Sequence, residues 1–165
     1  MILRLTDKLA RKVHEKELVT VPASKEPYAD WSARMFRFRR TQYVMISNTA
    51  SLYTAVIFGR GIVDGESLCR AAVAAIRDFC KEDGNEFIFQ RRIAPVTGKI
   101  VFGKSLNRSV TGSLNDLQYM AEGYLEESDL SLLEVSRRVN TTPMSLLSMG
   151  CPRDAFRNPE GISRK

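Results

Sequence analysis

Residues 104–125, KSLNRSVTGSLNDLQYMAEGYL, combine the end of a predicted strand, a polar loop and an amphipathic helix. After residue 113, apolar side chains recur at spacings of three and four residues, which predicts one buried helical face. Ser113 is the expected N-cap, and Asp116 three residues later fits a capping-box-like pair. We therefore expect a helix over residues 113–126, with its apolar face packed against the rest of the domain.

The polar loop ahead of this helix holds the first set of candidate binding residues. A helix N-terminus offers unpaired N–H groups and the positive end of the helix dipole. Arg108 could add a planar contact to a phosphate or carboxylate, and Gly112 would let the backbone approach a ligand closely. The candidate ligand or anion-binding residues are Asn107, Arg108, Ser109, Gly112, Ser113, Asn115 and Asp116. In the alternative interpretation, Arg108 pairs with Asp116 and only locks the loop.

A second candidate surface lies in a predicted strand over residues 33–40, where arginines alternate with aromatic residues. Phe36 and Phe38 should share one face of this strand. Arg37 and Arg39 should share the other face with Met35, ahead of a tight turn at 41–42. Backbone charge and base stacking act together in nucleic-acid binding, so the candidate nucleic-acid-binding residues are Arg34, Arg37, Arg39 and Arg40. Alternatively, these charges guard an edge strand against aggregation.

The remaining pattern predicts an α+β fold, in a single compact domain. We expect an antiparallel or mixed sheet of about five strands, packed by two main helices over 65–83 and 113–126, plus a C-terminal helix and arm. The strands are expected at 1–5, 33–40, 43–47, 52–58, 87–93 and 99–103. Shorter helices are expected at 7–17 and 129–140, and Trp31 is expected to be a buried anchor. The domain should span residues 1–127, with residues 128–165 docked on it as a helix and tail.

Residues 132–147, LLEVSRRVNTTPMSLL, resemble a helix-turn-helix whose second helix would begin near Pro143. The alternative is a capped helix followed by a docking arm. The sequence lacks the GxGxxG, Walker A, HExxH and GxSxG patterns. We therefore predict no catalytic residues and no cofactor, and we interpret the only histidine, His14, as a surface residue.

Composition and charge favour an anionic partner. The 165 residues are 44% hydrophobic and 27% charged, and 25 basic less 19 acidic side chains give a net charge of +6. The cysteine count is 3, and Cys69 and Cys80 would lie about 16 Å apart on one helix, beyond disulfide reach. No CxxC spacing indicates a metal site. Without a signal peptide or apolar span, we expect a cytoplasmic protein with no membrane partner.

Two motifs carry a resemblance to a family. The W-x-A segment beginning at Trp31 and the pattern N-R-S-V-x-G-S-x-N-D from Asn107 to Asp116 resemble a family of uncharacterised small bacterial α+β proteins. The resemblance spans about residues 1–125. It implies this α+β fold, and it implies no activity, cofactor or catalytic residue.

Three functional hypotheses follow from these observations. The first is a non-enzymatic intracellular module that binds an anionic partner, including nucleic acid. The second is an enzyme acting on a phosphorylated or carboxylated small molecule at the 107–116 loop. The third is a protein-interaction module, such as a toxin–antitoxin or phage-defence component. A deep pocket at Arg108 would favour the enzyme, a flat basic face the first hypothesis, and a large exposed apolar patch the third.

Overall fold

A mixed β-sheet of five strands lies at the centre of the computed structural model, which describes residues 1–127 and 129–159. The strands are β1 (Ile2–Leu5), β2 (Asp30–Phe38), β3 (Thr41–Asn48), β4 (Thr54–Phe58) and β5 (Val101–Lys104). Their order in the sheet is β4-β3-β2-β1-β5. The first strand is parallel to both of its neighbours, whereas the second, third and fourth form an antiparallel meander. The predicted α+β class with a five-stranded sheet is confirmed.

The turn between β2 and β3 lies two residues earlier than predicted. Thr41 and Gln42 already belong to β3, opposite Phe38 and Arg37. The connection is therefore the dipeptide at 39–40, and Arg39 adopts a left-handed conformation with φ of 52°. Two-residue hairpin loops favour positive φ because this geometry matches the twist of the strands.

Helices cover both faces of the sheet. The two main helices have 18 residues each, and the first begins with a reciprocal capping box between Asp64 and Ser67. Gly84, with φ of 74°, follows its C-terminal end, as expected for a helix stop. The first short helix ends before residue 17, because His14 leaves the helical conformation with φ of 60°. The helices are α1 (Asp7–Lys12), α2 (Gly65–Glu82), α3 (Glu86–Ile88), α4 (Arg108–Leu125), α5 (Leu132–Val139) and α6 (Pro152–Arg157).

Two hydrophobic clusters lie on opposite faces of the sheet, because successive residues of a strand point in opposite directions. Trp31 belongs to the cluster that includes the α2 side chains Leu68 and Phe79. Phe36 belongs to the other, with Leu114 and Leu117 among the α4 side chains. Trp31 is only 1% exposed, and its indole N–H donates to the Tyr28 carbonyl at 2.8 Å. The expectation of a buried tryptophan is confirmed.

Residues 87–93, predicted as a strand, are helical. The helix α3 continues into a π-helix at Phe89–Ile93 and a 3-10 turn at Ala94–Val96. Phe89 and Ile93 are buried four residues apart, whereas Phe87 is 69% exposed. This pattern is that of one helical face rather than of strand alternation, so the prediction was wrong.

The free edge of β4 is covered by α5. The Thr54 N–H donates to Asn140 Oδ1 at 2.8 Å, and Asn140 Nδ2 donates to the Thr54 carbonyl at 2.6 Å. The Val56 N–H donates to Ser136 Oγ at 2.9 Å. These side chains satisfy backbone groups that an edge strand would otherwise offer to another chain.

After α5 the structure departs from a helix-turn-helix. Met144 is extended, and only a three-residue 3-10 turn, Ser145–Leu147, follows it. Ser148 then takes a left-handed conformation with φ of 53°, which ends the turn. Within the described residues 140–159, no second helix is long enough to enter a major groove, so this hypothesis was wrong.

The C-terminal helix α6 packs on the Trp31 face of the sheet. Phe156 is fully buried and stacks on Tyr53, with ring centroids 4.1 Å apart. Arg153 forms an ion pair with the buried Asp83 at 3.1 Å. The predicted arm also includes residue 128 and residues 160–165, which lie outside the described residues.

Candidate anion-binding surfaces

The 107–116 segment is helical rather than a loop, because α4 begins at Arg108. The N-cap is Asn107, whose Oδ1 accepts the Val110 N–H at 2.9 Å. Ser113, the predicted N-cap, lies in the second turn and is buried. Both residue types are good caps, but the apolar face already starts at Val110, so the helix is stabilised from that point. Gly112 therefore lies inside the helix rather than in a turn before it.

The predicted pairing of Arg108 with Asp116 was wrong. Eight helical residues separate the two positions by about 12 Å along the axis. Arg108 and Ser109 are exposed in the first turn. Asn115 instead accepts a hydrogen bond from Arg34, and Asp116 lines a shallow groove of about 320 Å³ beside Tyr119. The seven candidate residues are thus spread along a helix rather than gathered around one pocket.

The four candidate arginines of the second segment also separate. Arg34 is half-buried between β2 and α4, where its Nη1 donates to Asn115 Oδ1 at 2.7 Å. Burial lowers the pKa of the Arg34 guanidinium from its usual value, although nearby Glu122 opposes this effect. Arg34 therefore stabilises the contact between sheet and helix rather than contributing to an open surface. Arg37 and Arg39 do not share a strand face, because the chain turns at Arg39.

Three of these arginines remain at one end of the sheet and are joined there by a fourth. The Gly59 N–H donates to the Gln42 carbonyl at 2.8 Å, and Gln42 is the strand partner of Arg37. This bond brings Arg60, the next residue after Gly59, to the same end of the sheet as the β2–β3 turn. We call this set the arginine rim; its members are Arg37, Arg39, Arg40 and Arg60, all of them exposed.

The arginine rim carries little compensating negative charge. Arg39 pairs with Glu126 at 3.1 Å, and its guanidinium lies 5.4 Å from the centre of the Phe38 ring. Within residues 1–127 and 129–159, no ion pair neutralises Arg37, Arg40 or Arg60. Three guanidinium groups therefore remain free to contact an anion.

An aromatic row crosses the sheet just behind the arginine rim. Phe36 stacks on Tyr43 with ring centroids 5.4 Å apart, and Tyr43 stacks on Phe58 at 5.6 Å. These residues are cross-strand partners on β2, β3 and β4. The first two rings are buried, whereas Phe58 at the open end of the row is 58% exposed. One exposed aromatic ring therefore lies at the same end of the sheet as the unpaired arginines.

Arg60 and Phe58 were not among the candidate binding residues predicted from the sequence. Phe58 had been assigned to a strand, and Arg60 to no element. A meander of strands expected at 33–40, 43–47 and 52–58 does bring the end of the third strand beside the first turn. The predicted meander therefore already implied that Phe58 and Arg60 lie near this turn. This could be recognised only once the strand register was known.

The described part of the chain contains no group of three or more histidine, cysteine, aspartate or glutamate side chains placed to hold a metal ion. In the same residues, no helix is both long and apolar enough to cross a membrane.

Comparison with known proteins confirms the family-level resemblance predicted from the sequence. No curated protein matches the chain. The sequence pattern of a family described as a domain of unknown function (DUF6933) matches residues 2–155. The matched range includes the whole sheet, the arginine rim and helices α1–α5. The chain therefore belongs to the DUF6933 family.

Proposed function

We propose that this protein is a non-enzymatic module that binds an anionic partner, single-stranded nucleic acid, through the arginine rim. The observation that carries the proposal is the location of Arg37, Arg40 and Arg60 at the end of the sheet where the Phe58 ring is exposed, all three without an ion pair among the described residues. Guanidinium groups contact phosphates and release counterions. An exposed aromatic ring offers a stacking surface to an unpaired base.

The arrangement of the arginine rim favours a nucleic-acid strand over a small molecule as its ligand. The arginine rim lies at the end of the β2–β3 hairpin and includes residues from β2, the β2–β3 turn and the segment after β4. A backbone that carries one phosphate per nucleotide can contact several of these positions in succession. The enzyme hypothesis required the 107–116 residues around one pocket, and α4 spreads them along its axis.

Fluorescence anisotropy with a labelled single-stranded 12-mer at low salt tests this function. The triple variant Arg37→Ala, Arg40→Ala, Arg60→Ala should bind at least about tenfold more weakly than the unmodified protein, because it loses three charge-assisted contacts. The matched control is Arg11→Ala, Arg91→Ala, Lys99→Ala. It removes three exposed cations elsewhere and leaves the same net charge, +6 − 3 = +3.

The control separates a specific surface from general attraction to a basic protein. It should reduce affinity by no more than about threefold, since distant charges are largely screened. The proposal fails if the unmodified protein does not bind the 12-mer at low salt. It fails equally if both triple variants weaken binding to the same extent.

A further inference from the structure

A polar cleft of about 640 Å³ opens between the loop before β2, the π-helix and the end of α6. Its volume lies in the range of small-molecule sites. Three cationic side chains and one carboxylate line it, so the lining itself has a formal charge of 3 − 1 = +2. Asp83 lies outside the lining, 4.0 Å from Arg157 Nη2, and offsets part of this charge. The charged and polar lining residues that matter here are Ser24, Lys25, Glu26, Arg92, Arg157 and Asn158.

Arg92 is held in place before any ligand arrives. Its guanidinium lies 5.1 Å from the centre of the Tyr28 ring, and its Nη2 contacts both carboxylate oxygens of Glu26 at 3.0 Å. Stacking and pairing together fix the plane of the guanidinium. Among the described residues, its Nε and Nη1 have no acceptor, so these donors remain for a ligand.

Arg157 is fixed from the opposite wall of the cleft. Its Nε donates to Asn85 Oδ1 at 2.9 Å, and its Nη2 donates to the Asp83 carbonyl at 2.9 Å. In the part of the chain that the structure describes, Nη1 has no acceptor. Lys25 is exposed at the mouth and forms no ion pair with a described residue. Two oriented guanidinium groups and one exposed ammonium therefore line the same space.

We propose that this cleft is a binding site for a small molecule that carries a phosphate group. Planar guanidinium groups match phosphate oxygens in pairs, and the compact ammonium of Lys25 adds a point charge. Because Arg92 and Arg157 are already ordered, binding loses little side-chain entropy. Glu26 engages only Nη2 of Arg92, so it orients this arginine without neutralising the whole cleft. The site is separate from the arginine rim and does not depend on it.

Isothermal titration calorimetry with inorganic pyrophosphate tests the site. Arg92→Ala and Lys25→Ala should each weaken pyrophosphate binding about tenfold, the effect of one lost charge-assisted contact. Arg91→Ala is the matched control for Arg92→Ala, because its guanidinium stacks on Phe87 and lies outside the cleft lining. Lys99→Ala is the corresponding exposed control for Lys25→Ala. Both controls should change affinity by less than about twofold.

A second arm distinguishes a free phosphorylated molecule from the backbone of a nucleic-acid strand. Arg92→Ala should leave binding of the single-stranded 12-mer unchanged while it weakens pyrophosphate binding.

The proposal is overturned if the unmodified protein shows no heat of binding at millimolar pyrophosphate. It is also overturned if Arg91→Ala weakens pyrophosphate binding as much as Arg92→Ala. Loss of 12-mer binding in Arg92→Ala, with pyrophosphate binding unaffected, would assign the cleft to the strand and overturn the proposal as well. Because Lys25 is exposed and unpaired, Lys25→Ala keeps the test decisive if Arg92→Ala does not fold.

Discussion

At the scale of single residues, Arg4 shows how this chain buries a charge. It lies on β1 and is 1% exposed, with its Nε and Nη2 each 2.8 Å from a carboxylate oxygen of Asp30. Its remaining donors contact the carbonyls of Val21, Pro22 and Lys104. Asp30 also accepts the Ser24 N–H at 3.0 Å. The pair therefore fastens the 19–25 loop to the sheet, with every guanidinium nitrogen bonded.

Removing one partner of this pair should be strongly destabilising. Asp30→Ala should lower the free energy of unfolding by about 3–5 kcal/mol, because it leaves the Arg4 guanidinium buried without a counter-ion. The comparison is Glu66→Ala, which breaks the exposed pair with Arg70 and should cost about 1 kcal/mol or less. Urea denaturation measures both changes. Equal effects in the two variants would contradict the structural role assigned to Arg4.

Cys80 provides a pH-dependent prediction. Burial, together with nearby Asp83, raises the pKa of the Cys80 thiol from 9.0 to about 12. The native protein at pH 8 should therefore react with a thiol reagent at the half-exposed Cys69 and Cys151, and at Cys80 only after unfolding. Peptide mapping after brief labelling identifies the modified residues. Rapid native labelling of Cys80 would contradict its burial.

The raised pKa of Cys80 also determines the direction in which the stability of the protein changes with pH. Below pH 9 the Cys80 thiol is neutral in both states, and its contribution to stability is fully present. Between pH 9 and about 12 only the unfolded thiol ionises, so stability should fall as the pH rises. Cys80→Ala should show a smaller fall over this range than the unmodified protein.

At the scale of elements, the start of α4 is fixed by its cap. Asn107→Ala should destabilise the protein by about 1 kcal/mol, because the Val110 N–H loses its acceptor. Ser109→Ala is the control, since Ser109 is exposed in the same turn and should change stability by less than about 0.5 kcal/mol. Thermal unfolding of the two variants makes the comparison. An equal, small effect of both changes would place the helix start elsewhere.

The contact of α5 with the edge of β4 gives a second element-scale prediction. Asn140→Ala should cost about 1–3 kcal/mol, because it leaves the N–H and the carbonyl of Thr54 without partners in a buried site. Thr141→Ala is an exposed neighbour on the same turn and should be nearly neutral. Hydrogen exchange adds a local measurement, since the Thr54 amide should lose protection in Asn140→Ala and keep it in Thr141→Ala.

Elements with a strong local sequence pattern could be predicted from the sequence. Elements whose type or boundaries depend on tertiary contacts could not. The helix α2 was predicted because its apolar face repeats over 18 residues between a good cap and Gly84. The helix over Phe89–Ile93 was missed because a short apolar run fits a strand and a buried helix equally well. The start of α4 was misplaced because Asn107 and Ser113 are both good caps, and tertiary contacts of Val110 decide between them.

The same distinction applies to the candidate surfaces. Arg37, Arg39 and Arg40 were predicted as a group because they are close in sequence. Arg34 was assigned to the same surface although α4 covers it, which only the packing of α4 on β2 reveals. Arg60 and the cleft around Arg92 depend on residues that the fold brings together from distant segments. Local charge patterns therefore predicted part of the arginine rim, and none of the cleft.

At the scale of the whole molecule, the protein has a net charge of +6, and its acidic side chains pair with some groups of arginines more than with others. The acids Glu127 and Glu134 pair with arginines on α5, and Asp83 pairs with arginines on α6. At the arginine rim, Glu126 pairs with only one of the four guanidinium groups. Among the described residues, Arg37, Arg40 and Arg60 thus place three unpaired guanidinium groups at one end of the sheet, the end at which Phe58 is exposed. Such a local field speeds the encounter with an anionic strand and makes binding sensitive to salt.

Binding through the arginine rim has its most direct test in the salt dependence of strand binding. The affinity for the single-stranded 12-mer is measured by anisotropy at salt concentrations from 50 to about 200 mM, where counterion release gives a linear plot of log affinity against log salt concentration. Removing three phosphate contacts in Arg37→Ala, Arg40→Ala, Arg60→Ala should make this slope shallower by about 2, at about 0.7 per contact on a single strand. The Arg11→Ala, Arg91→Ala, Lys99→Ala control should keep the slope of the unmodified protein. A slope that is unchanged in the rim variant, or reduced equally in both variants, would contradict binding through the arginine rim.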